Sequence, residues 1–499
     1  MPRVVFIPSR NCAVTRNYGT VSLEYGHLLS ARFAIFLFHL FTTPSLFFSS
    51  PPLPMSHTAA TGYGRIWTIA YPILLSTLIE QLVGMTDAAF LGRVGEIELG
   101  ACALGGIFFV AIYMLGLGFS IGTQILMGRR NGQGQYAQIG QLFYQSLYFL
   151  FVLAVVLFVL TRSFAPWLLH RIIQSPAVAA AVLEYLDIRL FGLFFAFLNA
   201  LFRGFFVATT HTRTLTWNSL TVVTANVLFN YLFIFGHAGF PAMGIGGAAL
   251  ASALAAAVSS VYYIVYIISR VPVAHYGLHK LPRLHLGQLR SVLSLSIWTM
   301  MQNFLSLGTW FLFFLAVEHL GERELAVTNM IRNVSSFTFM TVIALSSTAA
   351  TLVSNLMGQG RADEVWPMLR RTIRLCTAIL LPPIVIMSCM PDVVLGIFTS
   401  HAELIAAGRA PLYVMFSSYV FTIPAQILFH AVAGTGNTRA ALFFEAVALT
   451  IYCVYVGVAI FGLRLSLSWC WFSEFVYHFF ALLFAYLYLR SGRWKYIHI

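Results

Sequence analysis

Twelve long apolar segments, separated by short polar loops, constrain the fold of this chain more than any other feature of its sequence. About 20 apolar residues are enough for a helix to cross the hydrocarbon core of a bilayer. Only 9% of the 499 residues are charged, whereas a soluble domain averages about 25%. The sequence therefore predicts an all-α polytopic membrane protein with 12 transmembrane helices, and it excludes a soluble globular fold.

The predicted membrane spans, numbered in chain order, form two groups of six. Spans 1 to 6 are predicted at 66–91, 101–127, 141–162, 183–208, 214–235 and 244–268. Spans 7 to 12 are predicted at 291–317, 327–353, 372–398, 410–433, 440–462 and 467–490.

The residues before span 1 differ from the rest of the chain. Their one apolar stretch, 33–41, is too short for a span, is followed by prolines and serines, and is signal-like. We predict that residues 1–60 are an extension, disordered or absent from a mature protein that starts near Met55. Residues 61–269 then form an N-lobe, 270–290 a linker, and 291–499 a C-lobe.

Lys and Arg side chains concentrate in alternate loops of this arrangement. If the residues before span 1 are cytoplasmic, the cytoplasmic side receives more than twice as many of them as the outer side. Cytoplasmic loops of membrane proteins carry such an excess, so both termini and the linker are predicted to be cytoplasmic. The net charge of +13 is explained by these loops, and nucleic acid is not predicted as a partner.

Short motifs recur at a constant offset of 226 residues, which indicates an internal duplication. The matching pairs are 95–99 with 321–325, 132–134 with 358–360, 212–213 with 438–439, and 234–236 with 460–462. Six spans per copy leave both copies in the same orientation. We therefore expect two parallel six-helix lobes related by a pseudo-two-fold axis along the membrane normal, an architecture found in secondary transporters.

Two acids, Glu80 and Asp87, lie inside span 1, and the nearest basic residues in sequence are Arg65 and Arg93. Seven residues of helix place both acids on one face, about 10.5 Å apart. A charge at the bilayer centre costs about 2.5–3.5 kcal/mol, so an acid there is a candidate functional residue. A carboxyl group that can be neutral or charged can exchange a proton for a cation. The alternative is a structural acid bonded to a neighbouring helix.

Span 5 carries two amides, Asn226 and Asn230, on one helix face. They are predicted either to hydrogen-bond Asp87 and tune its affinity for protons, or to hold neighbouring helices together. With Glu80, these residues make up the predicted ion-coupling site. No metal site is predicted, because the six cysteines form no metal-binding pattern.

The repeat predicts that coupling is confined to the N-lobe. At the offset of 226 residues, Glu80 corresponds to Ser306 and Asp87 to Phe313, and spans 7 and 10 contain no acid. Two further acids, in spans 11 and 12, are predicted to pair with a loop or a polar neighbour; they are Glu445 and Glu474. Three C-lobe amides are predicted to line the substrate cavity: Gln302, Asn303 and Gln426.

Over about residues 65–490 the chain resembles the multidrug and toxic compound extrusion (MATE) family. The stretches that carry the resemblance are YPILLSTLIEQLVGMTDAAFLGRVG (71–95), LGFSIGTQILMGRRNGQG (117–134), NVLFNYLFIFG (226–236), MGIGGAALAS (243–252) and AVAGTGNTR (431–439). The resemblance implies a secondary antiporter for multidrug efflux. Such a protein exports cationic or amphipathic organic compounds in exchange for protons or sodium.

The resemblance also assigns roles to individual residues. Asp87 matches the acid of span 1 that is implicated in coupling, and Asn226 matches the span-5 asparagine. Asn230 stands where many prokaryotic members carry an aspartate, and Glu80 is suggested as its substitute. Where some members carry C-lobe acids, this chain has Ser306 and, in span 10, a threonine, which argues against a sodium site in the C-lobe.

The broader superfamily supplies the alternative function, a flippase for a lipid-linked saccharide. Phosphorylated head groups need a cationic cavity, whereas the embedded acids of the N-lobe favour cation export. The resemblance suggests an inner (plasma) membrane location. We expect a small-molecule substrate and membrane lipid as partners, no cofactor beyond the coupling ion (H⁺ or Na⁺), no enzymatic activity, and a monomer.

Overall fold

The computed structural model describes residues 61–497. Within them, 11 helices are long and apolar enough to cross a membrane, or 12 if one bent pair is counted as a single span. The predicted all-α polytopic fold is therefore confirmed. The prediction of an N-terminal extension at 1–60 lies outside the described residues.

The helix bounds follow the predicted order of spans. They are Tyr63–Leu91, Glu96–Gly132, Tyr136–Ile172, Pro176–Arg189 with Gly192–Ala208, Arg213–Phe235 and Gly244–Arg270 for spans 1 to 6, and Leu286–Glu318, Glu322–Gly358, Ala362–Cys389, Ala402–Gly434, Thr438–Gly462 and Leu467–Arg490 for spans 7 to 12.

Two of the repeated motifs are the ends of spans 2 and 8. Gly95 and Gly321 precede these spans, and each span has two glutamates in its first turn, where the helix dipole favours negative charge. Both spans end two residues before a glycine in the left-handed region, Gly134 (φ 73°) and Gly360 (φ 72°). The duplication therefore repeats helix starts and stops, which explains why short matches survive at a fixed offset.

Span 4 differs from the prediction, because it is bent by 54° between Arg189 and Gly192. A Cβ atom on Gly192 would lie 3.1 Å from the Cα atom of Ala253, so span 6 packs directly against the bend. Span 9 ends earlier than predicted, at Cys389, and Pro391 begins a separate short helix. Proline cannot continue a preceding helix without losing a hydrogen bond.

The two lobes meet chiefly at three pairs of helices, spans 2 and 7, spans 2 and 8, and spans 1 and 8, and the crossing of spans 2 and 8 is one of these contacts. The Ser354 hydroxyl donates to the carbonyl oxygen of Ile125 at 2.6 Å. A Cβ atom on Gly132 would collide with the carbonyl oxygen of Asn355, so the backbones touch at this point. These four residues define what we call the interlobe contact. The orientation predicted from the basic loops places it on the cytoplasmic side.

Candidate ion-coupling site

Spans 1, 5 and 6 pack together and bring three polar side chains to one point. The Asn230 amide nitrogen donates to Asp87 Oδ1 at 2.6 Å, and the Ser252 hydroxyl donates to Asp87 Oδ2 at 2.9 Å. Both oxygens of the carboxylate are thus held by donors from other helices. The structure places Asn230 against Asp87, which is one of the two alternatives that the sequence leaves open, and it adds Ser252.

Asn226 extends this cluster. Its side-chain oxygen accepts from Asn230 and from the Thr86 hydroxyl, each at 3.2 Å, and its amide nitrogen donates to Ser252 at 3.3 Å. Asn226 and Asn230 are fully buried, one helical turn apart. Together with Asp87, which is half-buried, these residues form the Asp87 network.

One hydrogen-bond acceptor in the Asp87 network has no donor among the described residues. The side-chain oxygen of Asn230 is buried and makes no hydrogen bond among residues 61–497. A buried polar atom without a partner is costly, and such atoms are uncommon in folded proteins. The Asp87 network therefore has a place for one more donor.

A cation also lies near the Asp87 network. Arg189, at the bend of span 4, is close enough to Asp87 for their charges to interact. Its guanidinium carbon lies 4.4 Å from the centroid of the Phe109 ring, a cation–π contact. Arg189 lies near the start of predicted span 4, and no sequence signal joins it to Asp87.

Glu80 belongs to a different cluster. Its carboxylate forms an ion pair with Arg203 of span 4 at 3.0 Å, and it accepts hydrogen bonds from Ser219 at 3.1 Å and from Ser76 at 3.2 Å. None of these partners belongs to the Asp87 network. A guanidinium only donates hydrogen bonds, so the Glu80 carboxylate is the acceptor in its contact with Arg203.

Replacing Arg203 by Gln is expected to lower the free energy of unfolding, because Glu80 loses its counter-charge inside the bundle. The two side chains are 28% and 45% exposed, so we expect a loss of about 2 kcal/mol rather than the larger cost of a fully buried pair. Thermal unfolding of the purified protein in detergent measures it.

The double variant Glu80→Gln/Arg203→Gln is expected to recover most of that loss, because neither charge then remains unpaired. The exposed Arg213 provides a control, and Arg213→Gln should leave the midpoint of unfolding unchanged. Strictly additive losses in the double variant would contradict the ion pair's structural role. Unchanged coupling in the double variant would in turn refute the suggestion that Glu80 replaces the span-5 aspartate.

The three predicted cavity residues lie in the C-lobe, away from the Asp87 network. Gln302 and Asn303 are half-buried, and the Asn303 amide donates to the carbonyl oxygen of Thr299 in its own helix. Gln426 is buried and interacts with the phenol of Tyr477 in span 12. Their role in lining a substrate cavity stays a prediction.

Ser252 is a site residue that the sequence reasoning missed. It lies in the small-residue run 244–255, which suggests close helix packing and nothing more. Ser252 is nevertheless the only polar side chain in that run. A single hydroxyl among alanines and glycines was therefore an available signal for a bond to a neighbouring helix.

Comparison with known proteins gives the family. The MatE family model matches residues 72–232 and 299–458, one block in each lobe. The probable multidrug resistance protein NorM of Synechocystis sp. is 26% identical over 341 residues, which are 66% of this chain and 72% of that protein. The NorM protein of Thermotoga maritima is 24% identical over 431 residues, covering 86% of this chain and 92% of that protein.

A solved structure described as the outward-facing conformation of a multidrug resistance MATE family transporter of the MOP superfamily has the same fold. It aligns with a TM-score of 0.79 at 16% identity and covers 87% of this chain and 96% of that one. The agreement extends over both lobes of the described structure. Because the MatE model also matches more than half of the sequence, this chain belongs to the MATE family of transporters.

Proposed function

We propose that the protein is a secondary antiporter that exports cationic or amphipathic organic compounds in exchange for protons, with Asp87 as the coupling residue. The observation that carries the proposal is a carboxylate inside a membrane bundle, held by donors from two other helices. Ionisable groups at such positions commonly mark ion pathways. The names of the NorM relatives, which are probable multidrug resistance proteins, support export of drugs.

Two features of the Asp87 network favour protons over sodium as the coupling ion. Each oxygen of the carboxylate already accepts a hydrogen bond, one from the Asn230 amide and one from the Ser252 hydroxyl, so the carboxylate is bonded without a metal ion. The unpaired side-chain oxygen of Asn230 can accept a hydrogen bond from the O–H of Asp87 when Asp87 is protonated.

The exchange then follows from charge at a single carboxyl group. Charged Asp87 attracts an organic cation, and protonated Asp87 does not, so proton uptake from the outside releases the cation there. The interlobe contact joins the lobes on the predicted cytoplasmic side, so alternating access requires it to open and close. When the interlobe contact opens, Asp87 becomes accessible from the cytoplasmic side, and its proton leaves to that side.

We place the transporter in an inner (plasma) membrane as a monomer, with residues 61 and 497 on the cytoplasmic side. The distribution of Lys and Arg among the loops supports this orientation.

The proposal is tested with wild-type protein in liposomes loaded with ethidium, a fluorescent organic cation. We expect an imposed proton gradient to drive ethidium across the membrane and an imposed sodium gradient to have no effect. Transport driven by sodium alone would reassign the Asp87 network as a sodium site. If neither gradient moved ethidium, cation export would be refuted, and a fluorescent lipid-linked saccharide would be the next substrate to test.

A further inference from the structure

Each lobe contains a carboxylate bonded to a serine of another span, at equivalent positions of the repeat but in opposite order. In the N-lobe, Ser219 of span 5 donates to Glu80 of span 1 at 3.1 Å. In the C-lobe, Ser306 of span 7 donates to Glu445 of span 11 at 2.7 Å. The offset of 226 residues relates Glu80 to Ser306 and Ser219 to Glu445, so the acid and the serine have changed places.

The surroundings of the two acids differ in charge. Glu80 has the guanidinium of Arg203, but the position equivalent to Arg203 is the buried Phe429. Between residues 61 and 497, no Lys or Arg forms an ion pair with Glu445. The second partner of Glu445 is the Tyr477 hydroxyl, which donates at 2.9 Å. Glu445 is only 2% exposed.

Hydroxyl partners allow Glu445 to be charged or neutral. A hydroxyl both donates and accepts hydrogen bonds, whereas a guanidinium only donates. When Glu445 is charged, Ser306 and Tyr477 donate to it; when it is protonated, one of the same hydroxyls can turn and accept its O–H. The hydrogen bonds are kept in both states, so a proton can bind and leave without stranding a buried polar group.

The helices around Glu445 carry arginines only toward their ends, and in the described part of the chain none of these forms an ion pair that would hold Glu445 ionised. Span 12 contributes Tyr477, which interacts with Glu474, and that acid lies 3.5 Å from the His478 ring. Span 10 contributes Tyr419, which also interacts with Glu474, and the Tyr452 ring of span 11 packs against Tyr477. Span 7 has no titratable residue between 291 and 317.

We propose that Glu445, with Ser306 and Tyr477, is a second proton-exchange site, located in the C-lobe, and that Glu80, paired with Arg203, is its structural counterpart in the N-lobe. The site takes one proton, which binds the Glu445 carboxylate and leaves again as a proton. Use of this proton in transport rests on the proposed antiport. The exchange of the proton itself does not, and the two are tested separately.

Infrared difference spectroscopy of the purified protein in lipid, recorded between low and high pH, tests the exchange. We expect the carboxyl stretch of a protonated acid in the wild type, loss of that band in Glu445→Gln, and its retention in Asp87→Asn. The matched control, Glu80→Gln, should remove no band, because the Glu80 carboxylate is already paired with the guanidinium of Arg203. An unchanged set of bands in Glu445→Gln would overturn the proposal.

Exchanging Ser306 and Glu445 with each other tests whether the proton bound by Glu445 is used in transport. In liposomes, Glu445→Ser is expected to lose part of the proton flux per ethidium transported. The double variant Ser306→Glu/Glu445→Ser should regain it, because it keeps a carboxylate bonded to a serine at this point and adds no cation. A proton flux per ethidium equal to wild type in Glu445→Ser would show that the site takes no part in transport. If wild type moved no ethidium, the proposed antiport would fail, and the infrared result would still decide the proton-exchange site.

Discussion

Replacing Asp87 by Asn is expected to reduce proton-driven ethidium transport to the leak of protein-free liposomes. Asparagine has nearly the same shape, and its side-chain oxygen can still accept from Asn230 or Ser252. It cannot ionise, so it can neither attract the organic cation nor take up the proton. The loss should therefore be in transport and not in folding, and thermal unfolding of the same sample separates the two.

The control for this substitution is an acid outside the Asp87 network. Asp187 lies on the same lobe, is half-exposed, and pairs with Arg162 at 3.4 Å. The same acid-to-amide change at that position, Asp187→Asn, is expected to leave ethidium transport unchanged. Proton-driven transport by Asp87→Asn at a rate near that of wild type would remove Asp87 from the coupling site.

Locking the interlobe contact with a disulfide is expected to arrest transport. A Cβ atom on Gly128 would lie 3.4 Å from the Cβ atom of Ser354, and disulfide-bonded Cβ atoms are about 3.5–4.5 Å apart. The double variant Gly128→Cys/Ser354→Cys should therefore cross-link spans 2 and 8 with little shift. Ethidium transport should stop under oxidation and return with a reductant, because alternating access requires the lobes to separate.

The cross-link is made in a background that avoids competing thiols. Among the described residues, Cys389 and Cys453 are exposed and would be replaced first. The single variants Gly128→Cys and Ser354→Cys provide the controls, and oxidation should not affect their transport. A fully cross-linked double variant that transports as fast as its reduced form would show that the interlobe contact does not open during the cycle.

Much of the fold could be predicted from the sequence, because the length of an apolar segment and the repetition of a motif can be read without knowing which helices pack together. The order of the spans follows from the apolar segments, and the duplication follows from motifs that prove to be helix ends. The bend in span 4 was not predictable, because it depends on the packing of Gly192 against Ala253 in another helix. Span edges shifted where a proline, such as Pro391, starts a new helix.

The Asp87 network was predictable only where helix periodicity shows which residues lie on the same face of a helix. Asn226 and Asn230 share a face, and the structure places that face against Asp87. The partner of Glu80 was not predictable, because Arg203 lies 123 residues away and the pairing depends on how spans 1 and 4 are rotated. The sequence does show Arg203 as a basic residue inside predicted span 4.

The contact between Ser306 and Glu445 in the C-lobe shows a different limit of prediction from sequence. Applying the repeat offset to Glu80 and Asp87 finds no acid in span 7 and suggests an N-lobe site alone. Applying it in reverse, from Glu445 back to Ser219, gives the exchanged order from the sequence. The contact between Ser306 and Glu445 still required the structure, since it depends on how spans 7 and 11 pack.

The most direct test of the central claim, proton exchange at Asp87, is to let a gradient of ethidium drive protons. Liposomes containing wild-type protein and an internal pH-sensitive dye would receive ethidium on one side, with no initial pH difference. The account predicts that ethidium flow moves protons in the opposite direction in wild type, and that Asp87→Asn moves none. Ethidium flow without proton movement in wild type, or proton movement that persists in Asp87→Asn, would contradict it.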